Sequence, residues 1–345
     1  MRAVRFDRFG EAGEVLRLVE DQPMPQRKPG EVLVKVAATS VNPIDYKIRR
    51  GDFPRLFVAL PKVPGGDVAG VVAEADPGSS FKPGDRVMAL ADGYRPWRAW
   101  GTYCEFVSLP EAHLARIPEG MSDEEAAALP LVSLTVMQAL EVSNLSTGDR
   151  LLVHGASGGV GVMAVQLAKA RGLYVLGTCS FSNADYVKEL GCDRVIDYTK
   201  ERFEDACGDA PLDCVIDGVG GDYEPRSLRL LKRSGTYVSL RAGDTNAAIL
   251  VATLKGKLLG LLRLGPHYYS SGVSPNGRQL AEVAEVWKEG KLKINVQTVL
   301  PLVRAAEAQE LVAARHVRGK VVLRVSKAEP EETGKESTSP AGKPE

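Results

Sequence analysis

The residues best placed to do chemistry are the glycines of a short turn at 156–161, Ala-Ser-Gly-Gly-Val-Gly. The turn follows an apolar run and precedes a helix of small residues, which is the setting of a dinucleotide-binding fingerprint, here with Ala156 in place of the first glycine. Backbone at Gly158 can approach a pyrophosphate, and Gly161 lets the helix pack closely on the strand. We therefore expect the phosphates of a dinucleotide to bind at Ser157, Gly158, Gly159 and Val160. A glycine turn with a purely structural role is the alternative.

The end of the second predicted strand should distinguish NAD from NADP. An NAD site places Asp or Glu there, to accept a hydrogen bond from the ribose 2′-hydroxyl. Here Thr178, Cys179 and Ser180 are all uncharged, which favours NADP(H), since an acid would repel a 2′-phosphate. No Lys or Arg occurs between 173 and 187, so the phosphate contacts are expected from Ser180, Ser182, Asn183 and Tyr198. In the alternative, Ser182 and Asn183 only cap the following helix.

Metal chemistry is not expected from the histidines and cysteines. A zinc site needs closely spaced Cys and His ligands. The spacing of neither residue type fits such a set, and an odd number of cysteines indicates reduced thiols in an intracellular protein. The residues concerned are His113, His154, His267, His316, Cys104, Cys179, Cys192, Cys207 and Cys214.

The first third of the chain consists of short predicted strands broken by Gly and Pro. Their spacing favours an antiparallel barrel, and the segments are 31–41, 66–75, 84–90 and 101–109. Residues 122–143 then have helical character, with Ser122 and Glu125 spaced as a capping box.

From residue 150 strands and helices alternate, which predicts a doubly wound parallel sheet. We predict strands at 150–154, 173–178, 193–196, 213–217 and 235–240. Helices are predicted between them, at 159–171, 183–190 and 223–233. An amphipathic helix follows within 276–292, and the polar tail at 326–345 is expected to be disordered.

Composition narrows the class of protein further. The 345 residues hold 44 Lys+Arg and 44 Asp+Glu, so there is no broad basic field and nucleic acid is not an expected partner. The sequence contains no run of ~18 apolar residues, so we predict no membrane span. The N-terminal segment carries Asp7 and Glu11 and does not read as a signal or transit peptide. We expect a cytoplasmic location and leave an organelle open.

Seven segments together resemble the medium-chain dehydrogenase/reductase superfamily over residues 1 to about 325, and most closely its zinc-free quinone oxidoreductase branch with the plant-type enone and alkenal reductases. They are SVNPIDYKIRRGDF (40–53), PGGDVAGVV (64–72), KPGDRV (82–87), LTVMQAL (134–140), VHGASGGVG (153–161), VKELGCDRVIDY (187–198) and RGKVVL (318–323). Zinc-dependent relatives carry Gly-His-Glu where this chain has Gly65-Gly66-Asp67, and often a four-cysteine lobe where it has only Cys104. The resemblance therefore implies chemistry without a metal.

That chemistry is hydride transfer from NADPH to a quinone or to the conjugated double bond of an α,β-unsaturated carbonyl. Such a reaction needs hydrogen-bond donors where negative charge develops on the carbonyl oxygen. By the resemblance, NPIDYK borders the nicotinamide, so we predict Asn42, Tyr46 and Lys47 as catalytic residues, with Tyr46 a possible proton source. The alternatives are that Asp45 pairs with Arg49, that Lys47 is only solvated, and that Asn42 only orders the turn before its proline.

The same resemblance assigns further cofactor contacts. Thr135 would approach the nicotinamide carboxamide, or else pack within its helix. The closing motif, Arg318-Gly319-Lys320, would approach the cofactor as well, unless it is a plain strand. Leu240 is a further predicted cofactor contact. Two aromatic loops, with Tyr94, Trp97 and Trp100 in one and residues 265–272 in the other, would wall an apolar pocket or pin their own loops.

We thus expect an α/β protein: a Rossmann doubly wound parallel sheet plus a GroES-like antiparallel β-barrel catalytic domain. The barrel domain is predicted at 1–121 and 266–325, and the NADP-binding domain at 122–265, with the active site between them. The resemblance suggests a homodimer acting on a small-molecule quinone or enone.

Two other functions stay open. A trans-2-enoyl thioester reductase would need cationic contacts, for which the candidates are Arg49, Arg50, Arg55, Lys255, Lys257 and Arg263. A non-catalytic NADPH-binding protein is the second alternative.

Overall fold

The structure, a computed structural model, describes residues 1–240, 265–270, 272–314 and 317–325, and the single positions 254, 258 and 262. Some of the predicted features lie outside the described residues: Lys255, Lys257, Arg263, His316 and the tail at 326–345.

The strands are β1 Ala3–Arg5, β2 Arg17–Val19, β3 Glu31–Val41, β4 Asp67–Glu74, β5 Arg86–Leu90, β6 Phe106–Pro110, β7 Leu114–Arg116, β8 Arg150–His154, β9 Tyr174–Cys179, β10 Arg194–Asp197, β11 Leu212–Asp217, β12 Leu231–Ser239, β13 His267–Ser270, β14 Val296–Pro301 and β15 Lys320–Arg324. The helices are α1 Ala12–Val15, α2 Pro43–Arg50, α3 Asp123–Ala127, α4 Pro130–Ser143, α5 Gly159–Ala170, α6 Ala184–Glu189, α7 Phe203–Cys207, α8 Tyr223–Leu228, α9 Gly277–Lys288 and α10 Ala305–Ala313.

The barrel-like sheet has the order β14-β15-β3-β4-β5-β7, with β6 paired to the first half of β3. Its pairs are antiparallel except for β14 and β15, which run parallel. The long strand β3 is the centre of this sheet, since it pairs with β15, β4 and β6. The predicted GroES-like sheet is confirmed.

The second sheet is the predicted Rossmann sheet, in the order β10-β9-β8-β11-β12-β13, with every pair parallel. The chain enters at β8, winds outwards to β10, and then crosses back to β11 on the other side of β8. The carboxyl ends of β8 and β11 therefore flank the switch point, where ligands bind in this kind of sheet.

Two predicted helix boundaries are wrong. The helical stretch 122–143 is two helices, because Pro130 has no N–H to donate and begins a new helix instead of continuing the first. The helix predicted at 223–233 ends at Leu228, since Leu231 pairs with Leu212 in the sheet. The capping box itself is confirmed: Ser122 Oγ accepts from Glu125 N at 3.2 Å, and Ser122 N donates to Glu125 Oε2 at 3.0 Å.

The segment 266–270 was predicted in the barrel domain, and the structure corrects this. Strand His267–Ser270 pairs with Thr236–Ser239 as the last strand of the parallel sheet. The reason is packing: the Tyr268 ring lies against Tyr237, with ring centres 5.2 Å apart, and both residues are buried. The return to the barrel therefore comes after Ser270.

Candidate active site

The glycine turn has the close packing that its sequence predicts. After β8 the chain passes Gly155, whose φ is +73°, and enters α5 with Gly158 as the N-cap residue. A Cβ on Gly161 would lie 2.2 Å from the carbonyl oxygen of Gly155, so no side chain fits there. The turn is partly exposed at Ser157, Gly158, Gly159 and Val160. The amino end of a twelve-residue helix thus faces solvent at the switch point, a favourable place for a phosphate.

The closing motif Arg318-Gly319-Lys320 meets this turn across the domain boundary. Gly158 and Gly319 form an isolated parallel bridge. A Cβ on Gly159 would lie 3.2 Å from Gly319 O and 3.3 Å from Lys320 Cδ. The two motifs are far apart in sequence, but they form a single wall in the structure.

Arg318 also reaches the predicted ribose-phosphate loop. Its Nε donates to Asn183 Oδ1 at 2.9 Å and its Nη2 donates to the Ser182 carbonyl at 3.1 Å. Within the loop, the Ser180 and Ser182 hydroxyls lie 3.1 Å apart and Asn183 Nδ2 donates to Ser180 Oγ at 3.1 Å. Asn183 is the N-cap residue of α6, yet its side chain makes no capping bond. The fold supplies the basic group that the sequence between 173 and 187 lacks.

Tyr198 and Leu240 lie at the ends of neighbouring strands. Tyr198 follows β10, with 52% of its surface exposed, and its N–H donates to Cys179 O at 3.2 Å. Leu240 follows β12, is partly buried, and donates its N–H to Asp217 O at 2.9 Å. Both are at the carboxyl edge of the parallel sheet, together with the glycine turn.

Asn42 is the buried bridge between the barrel and the closing motif. It is 1% exposed and immediately precedes α2. Its Nδ2 donates to Asp67 Oδ2 at 2.7 Å, and its Oδ1 accepts from Lys320 Nζ at 2.5 Å. Its backbone N–H donates to Asp45 Oδ2 at 2.9 Å. Asn42 therefore does more than order a turn.

Asp67 is the centre of this network, and the sequence reasoning did not include it among the site residues. Its carboxylate accepts from Asn42 Nδ2, from the Ser40 hydroxyl and, at 2.6 Å, from Leu131 N at the start of α4. Lys320 Nζ lies 3.5 Å from Asp67 Oδ2, and both side chains are almost fully buried. The signal was available, since an acid inside the apolar run GDVAGVV is costly unless it is paired.

Burial shifts the titration of the charged groups around Asp67. Burial raises the pKa of Asp45 from 3.8 to about 6, against the hydrogen bond from Asn42 N–H that lowers it. Burial also lowers the pKa of Lys320, an effect that Asp67 and Asp45 oppose. The Tyr103 hydroxyl donates to Asp45 Oδ2 at 3.2 Å. This network is thus a set of mutually dependent buried charges.

Tyr46 and Lys47 lie on the first turns of α2, directly after this network. Tyr46 is 5% exposed, and the Arg50 guanidinium lies 5.3 Å from its ring centre. Lys47 is partly buried. The alternative Asp45–Arg49 pair is wrong, because Arg49 donates to Gln309 Oε1 at 2.8 Å and to the Gly10 carbonyl. Their catalytic roles stay predictions.

Thr135 lies on α4, one turn after Leu131. Its hydroxyl donates to Leu131 O at 2.6 Å, so the proton is held within the helix while the oxygen can still accept a bond. The backbone N–H of the same Leu131 donates to Asp67. The helix that carries Thr135 is therefore fixed to the buried network.

Of the three predicted aromatic residues of the first loop, Trp97 lines a cavity. An apolar cavity of about 660 Å³ is lined by Phe53, Pro54, Leu56, Phe57, Val58, Ala59, Pro96 and Trp97. The Tyr94 hydroxyl donates to Val273 O at 2.6 Å, which ties this loop to the segment after β13. In the other loop, Tyr268 is buried in strand β13.

The comparisons with known proteins agree with this architecture. Residues 28–119 match the model "Alcohol dehydrogenase GroES-like domain", and residues 190–323 match "Zinc-binding dehydrogenase". The mitochondrial NAD(P)H oxidoreductase RTN4IP1 of Mus musculus is 35% identical over 94% of this chain and 89% of its own length. The chain belongs to the medium-chain dehydrogenase/reductase superfamily.

Two further members of the superfamily show its chemical range. The 2-methylene-furan-3-one reductase of Solanum lycopersicum is 36% identical over 80% of this chain and 71% of its own length. The quinone oxidoreductase of Escherichia coli, solved in complex with NADPH, is 29% identical with a TM-score of 0.77, covering 94% of this chain and all of the other. The chain is an oxidoreductase of this superfamily, and among its described residues no helix is long and apolar enough to cross a bilayer.

One of the matching superfamily models is described as zinc-binding, and the donor atoms of this chain bear on that metal. The described residues contain no cluster of three or more His, Cys, Asp or Glu side chains arranged to hold an ion. Burial raises the pKa of Cys104 to about 12, and its thiol donates to the Gly101 and Phe106 carbonyls. Burial lowers the pKa of His154 to about 4, and this ring makes edge contacts with both Phe203 and Tyr223 in the parallel-sheet domain.

Proposed function

We propose that this chain is an NADPH-dependent reductase that transfers hydride, without a metal ion, to a quinone or to the conjugated double bond of an α,β-unsaturated carbonyl. The observation that carries the proposal is the set of hydrogen bonds and the ion pair that Asp67 makes. Zinc-dependent relatives have Gly-His-Glu at this place, whereas Asp67 is fully engaged by Asn42, Ser40, Leu131 N–H and Lys320. Because these groups already bond to the Asp67 carboxylate, and Gly66 stands where those relatives have a histidine ligand, the residues present do not fit zinc.

The residues of the turn and its neighbours fit a dinucleotide. The amino end of α5 would hold the pyrophosphate, and Thr135 would face the carboxamide of the nicotinamide. Ser180, Ser182, Asn183 and Arg318 would hold the 2′-phosphate, since Arg318 already bonds to this loop and a guanidinium binds phosphate with two parallel bonds. NADPH, when bound, supplies the hydride.

The acceptor side of the cleft must stabilise charge on a carbonyl oxygen. Hydride adds to the β-carbon, the electron pair of the double bond moves through the α-carbon to the oxygen, and a proton is then gained at the α-carbon. Tyr46 and Lys47 are the donors we propose at that oxygen. Asn42, held by both Asp67 and Lys320, positions the start of their helix and retains one amide hydrogen for a ligand.

The test is a steady-state screen of the full chain with NADPH against a panel of small quinones and enones, in the presence of a chelator. Consumption of NADPH with at least one of these acceptors is the expected result, with a rate that the chelator does not change. No consumption with any acceptor, together with tight NADPH binding, would instead support the non-catalytic alternative.

The thioester alternative is less well supported by the described residues. Arg49, one of its cationic candidates, is fully buried and bonded to Gln309, and Arg50 lies 3.7 Å from Glu11. Turnover of a trans-2-enoyl thioester at a rate above that of the enones would favour it.

Assembly and location are the remaining proposals. Strand β13 is the last strand of the parallel sheet in the described residues, and we propose that a homodimer forms through this strand. The relatives of Mus musculus and Spinacia oleracea are named as mitochondrial and chloroplastic. An organelle is thus as compatible with the superfamily as the predicted cytoplasm.

A further inference from the structure

A second cation, besides Arg318, lies beside the ribose-phosphate loop. Lys200 follows strand β10, and its Nζ lies 3.7 Å from the centre of the Phe181 ring. Phe181 is itself part of the loop, between Ser180 and Ser182, and 67% of it is exposed. The lysine therefore contacts, through Phe181, the same loop whose Ser182 and Asn183 bond to Arg318.

The topology explains why Lys200 arrives there. Strands β9 and β10 are parallel neighbours, with Asp197 opposite Cys179 in the register. The residues that follow the two strands must therefore leave the sheet at the same edge. Ser180–Asn183 follows β9 and Lys200 follows β10, at the end of a parallel sheet where nucleotides bind.

The contact with Phe181 fixes the lysine without neutralising it. An aromatic face attracts an ammonium group but carries no net charge, so this contact leaves the charge of Lys200 in place. Lys200 also forms a long ion pair with Asp197, whose Oδ2 is 3.7 Å from Nζ. Asp197 Oδ1 accepts from the N–H and hydroxyl of Thr199. Lys200 thus also screens an anion from the carboxylate of Asp197.

We propose that Lys200, held in place by Phe181, is a specificity-determining residue that binds the 2′-phosphate of the cofactor opposite Arg318. The proposal rests on the NADPH preference proposed above and adds to it a residue that the glycine motif and the closing motif do not include. A free ribose 2′-hydroxyl offers no charge to either cation, so Lys200 acts on the phosphate alone.

The experiment is calorimetric titration of the full chain with 2′,5′-ADP and with 5′-AMP, two probes that differ only in the 2′-phosphate. For Lys200→Ala we expect affinity for 2′,5′-ADP to fall about 5- to 10-fold, as for a charged contact that is partly solvated. Affinity for 5′-AMP should change less than about twofold. Lys200→Arg should keep most of the affinity for 2′,5′-ADP, because it keeps the charge.

Lys188→Ala is the matched control, since Lys188 is an exposed lysine in the last turn of the adjacent helix α6. It should leave both affinities within about twofold, because long-range charge effects are screened in salt. Phe181→Ala, which removes the ring but not the charge, should weaken 2′,5′-ADP by about two- to threefold.

The outcomes separate this proposal from the one on which it rests. If the parent chain binds both probes equally well, the NADPH preference fails and the Lys200 proposal fails with it. If the parent chain prefers 2′,5′-ADP and Arg318→Ala abolishes that preference, but Lys200→Ala does not reduce it, then only the Lys200 proposal is overturned. Equal weakening of both probes by Lys200→Ala would overturn it too.

Discussion

The two ends of the proposed cofactor site are built in opposite ways. At the nicotinamide end, Asn42, Asp67 and Lys320 are buried and bonded to one another. At the adenosine end, Arg318 and the loop at 180–183 are exposed or partly exposed, and the bonds between their polar groups lie at the surface. A buried charge network fixes geometry before any ligand arrives, whereas an exposed one can exchange its bonds for those of a phosphate. Mutations at the two ends should therefore affect reactivity and cofactor choice separately.

The largest effect on stability is expected from a mutation in the buried network of Asn42, Asp67 and Lys320. Asp67→Ala leaves the buried ammonium of Lys320 and the amide of Asn42 without their acceptor, so the free energy of unfolding should fall by about 3–5 kcal/mol. Denaturant titration measures this. The control is Glu285→Ala, which removes an exposed partner of Lys288 and should cost less than about 0.5 kcal/mol. Equal effects of the two variants would show that the buried network stabilises the fold no more than an exposed ion pair does.

The pH dependence of stability should sharpen the same contrast. The folded chain keeps the Asp45 proton up to about pH 6, whereas an unfolded aspartate releases it near pH 3.8. This contribution to stability is therefore present below about pH 4 and is lost as the pH rises through 6. Asp45→Asn cannot ionise, so its stability relative to the parent chain should rise by about 3 kcal/mol between pH 4 and pH 7. A difference that stays flat over this range would show that burial does not control Asp45.

Breaking the exposed end should change binding and leave folding intact. Arg318→Ala should raise the Kd for NADPH about 10-fold, since it removes a guanidinium from the 2′-phosphate, and change the Kd for NADH by less than about twofold. Its unfolding free energy should stay within about 0.5 kcal/mol of the parent, because the side chain is exposed. Fluorescence titration with both cofactors provides the measurement. An equal loss for both cofactors would place Arg318 away from the 2′-phosphate.

The smallest effect is expected at the link between the aromatic loop and the segment after β13. Tyr94→Phe removes the bond from the Tyr94 hydroxyl to Val273 O and should cost about 1 kcal/mol of stability. Tyr174→Phe, at a 41% exposed tyrosine, should cost less. Thermal unfolding of the two variants side by side checks the order, and the reverse order would show that the Tyr94 bond does not stabilise the fold.

Local patterns predicted the parallel sheet and the glycine turn well. Gly161 had to be small for a reason that neighbouring residues alone define, and Ser122 with Glu125 forms a cap within one helical turn. The alternation of strand and helix from residue 150 is local in the same sense. In these features, the residues that contact one another are also close together in the sequence.

Contacts between residues that are far apart in the sequence could not be predicted from such local patterns. Arg318 lies beside Asn183 only because β15 returns to the barrel next to β3 and brings the closing motif to the glycine turn. Asp67 was noted only as a departure from the zinc pattern, because its partners come from β3, α4 and β15. The strand at 267–270 was misplaced because its pairing partner, β12, decides its sheet.

The most direct test of the account is the initial rate of NADPH oxidation by the chelator-treated parent chain with a simple enone or quinone, measured in parallel with NADH at the same concentration. The account predicts a rate that survives the chelator and is at least about tenfold higher with NADPH than with NADH at subsaturating cofactor, given the two cations beside the 2′-phosphate. A rate that disappears with the chelator and returns with zinc, or that is equal for the two cofactors, would contradict it.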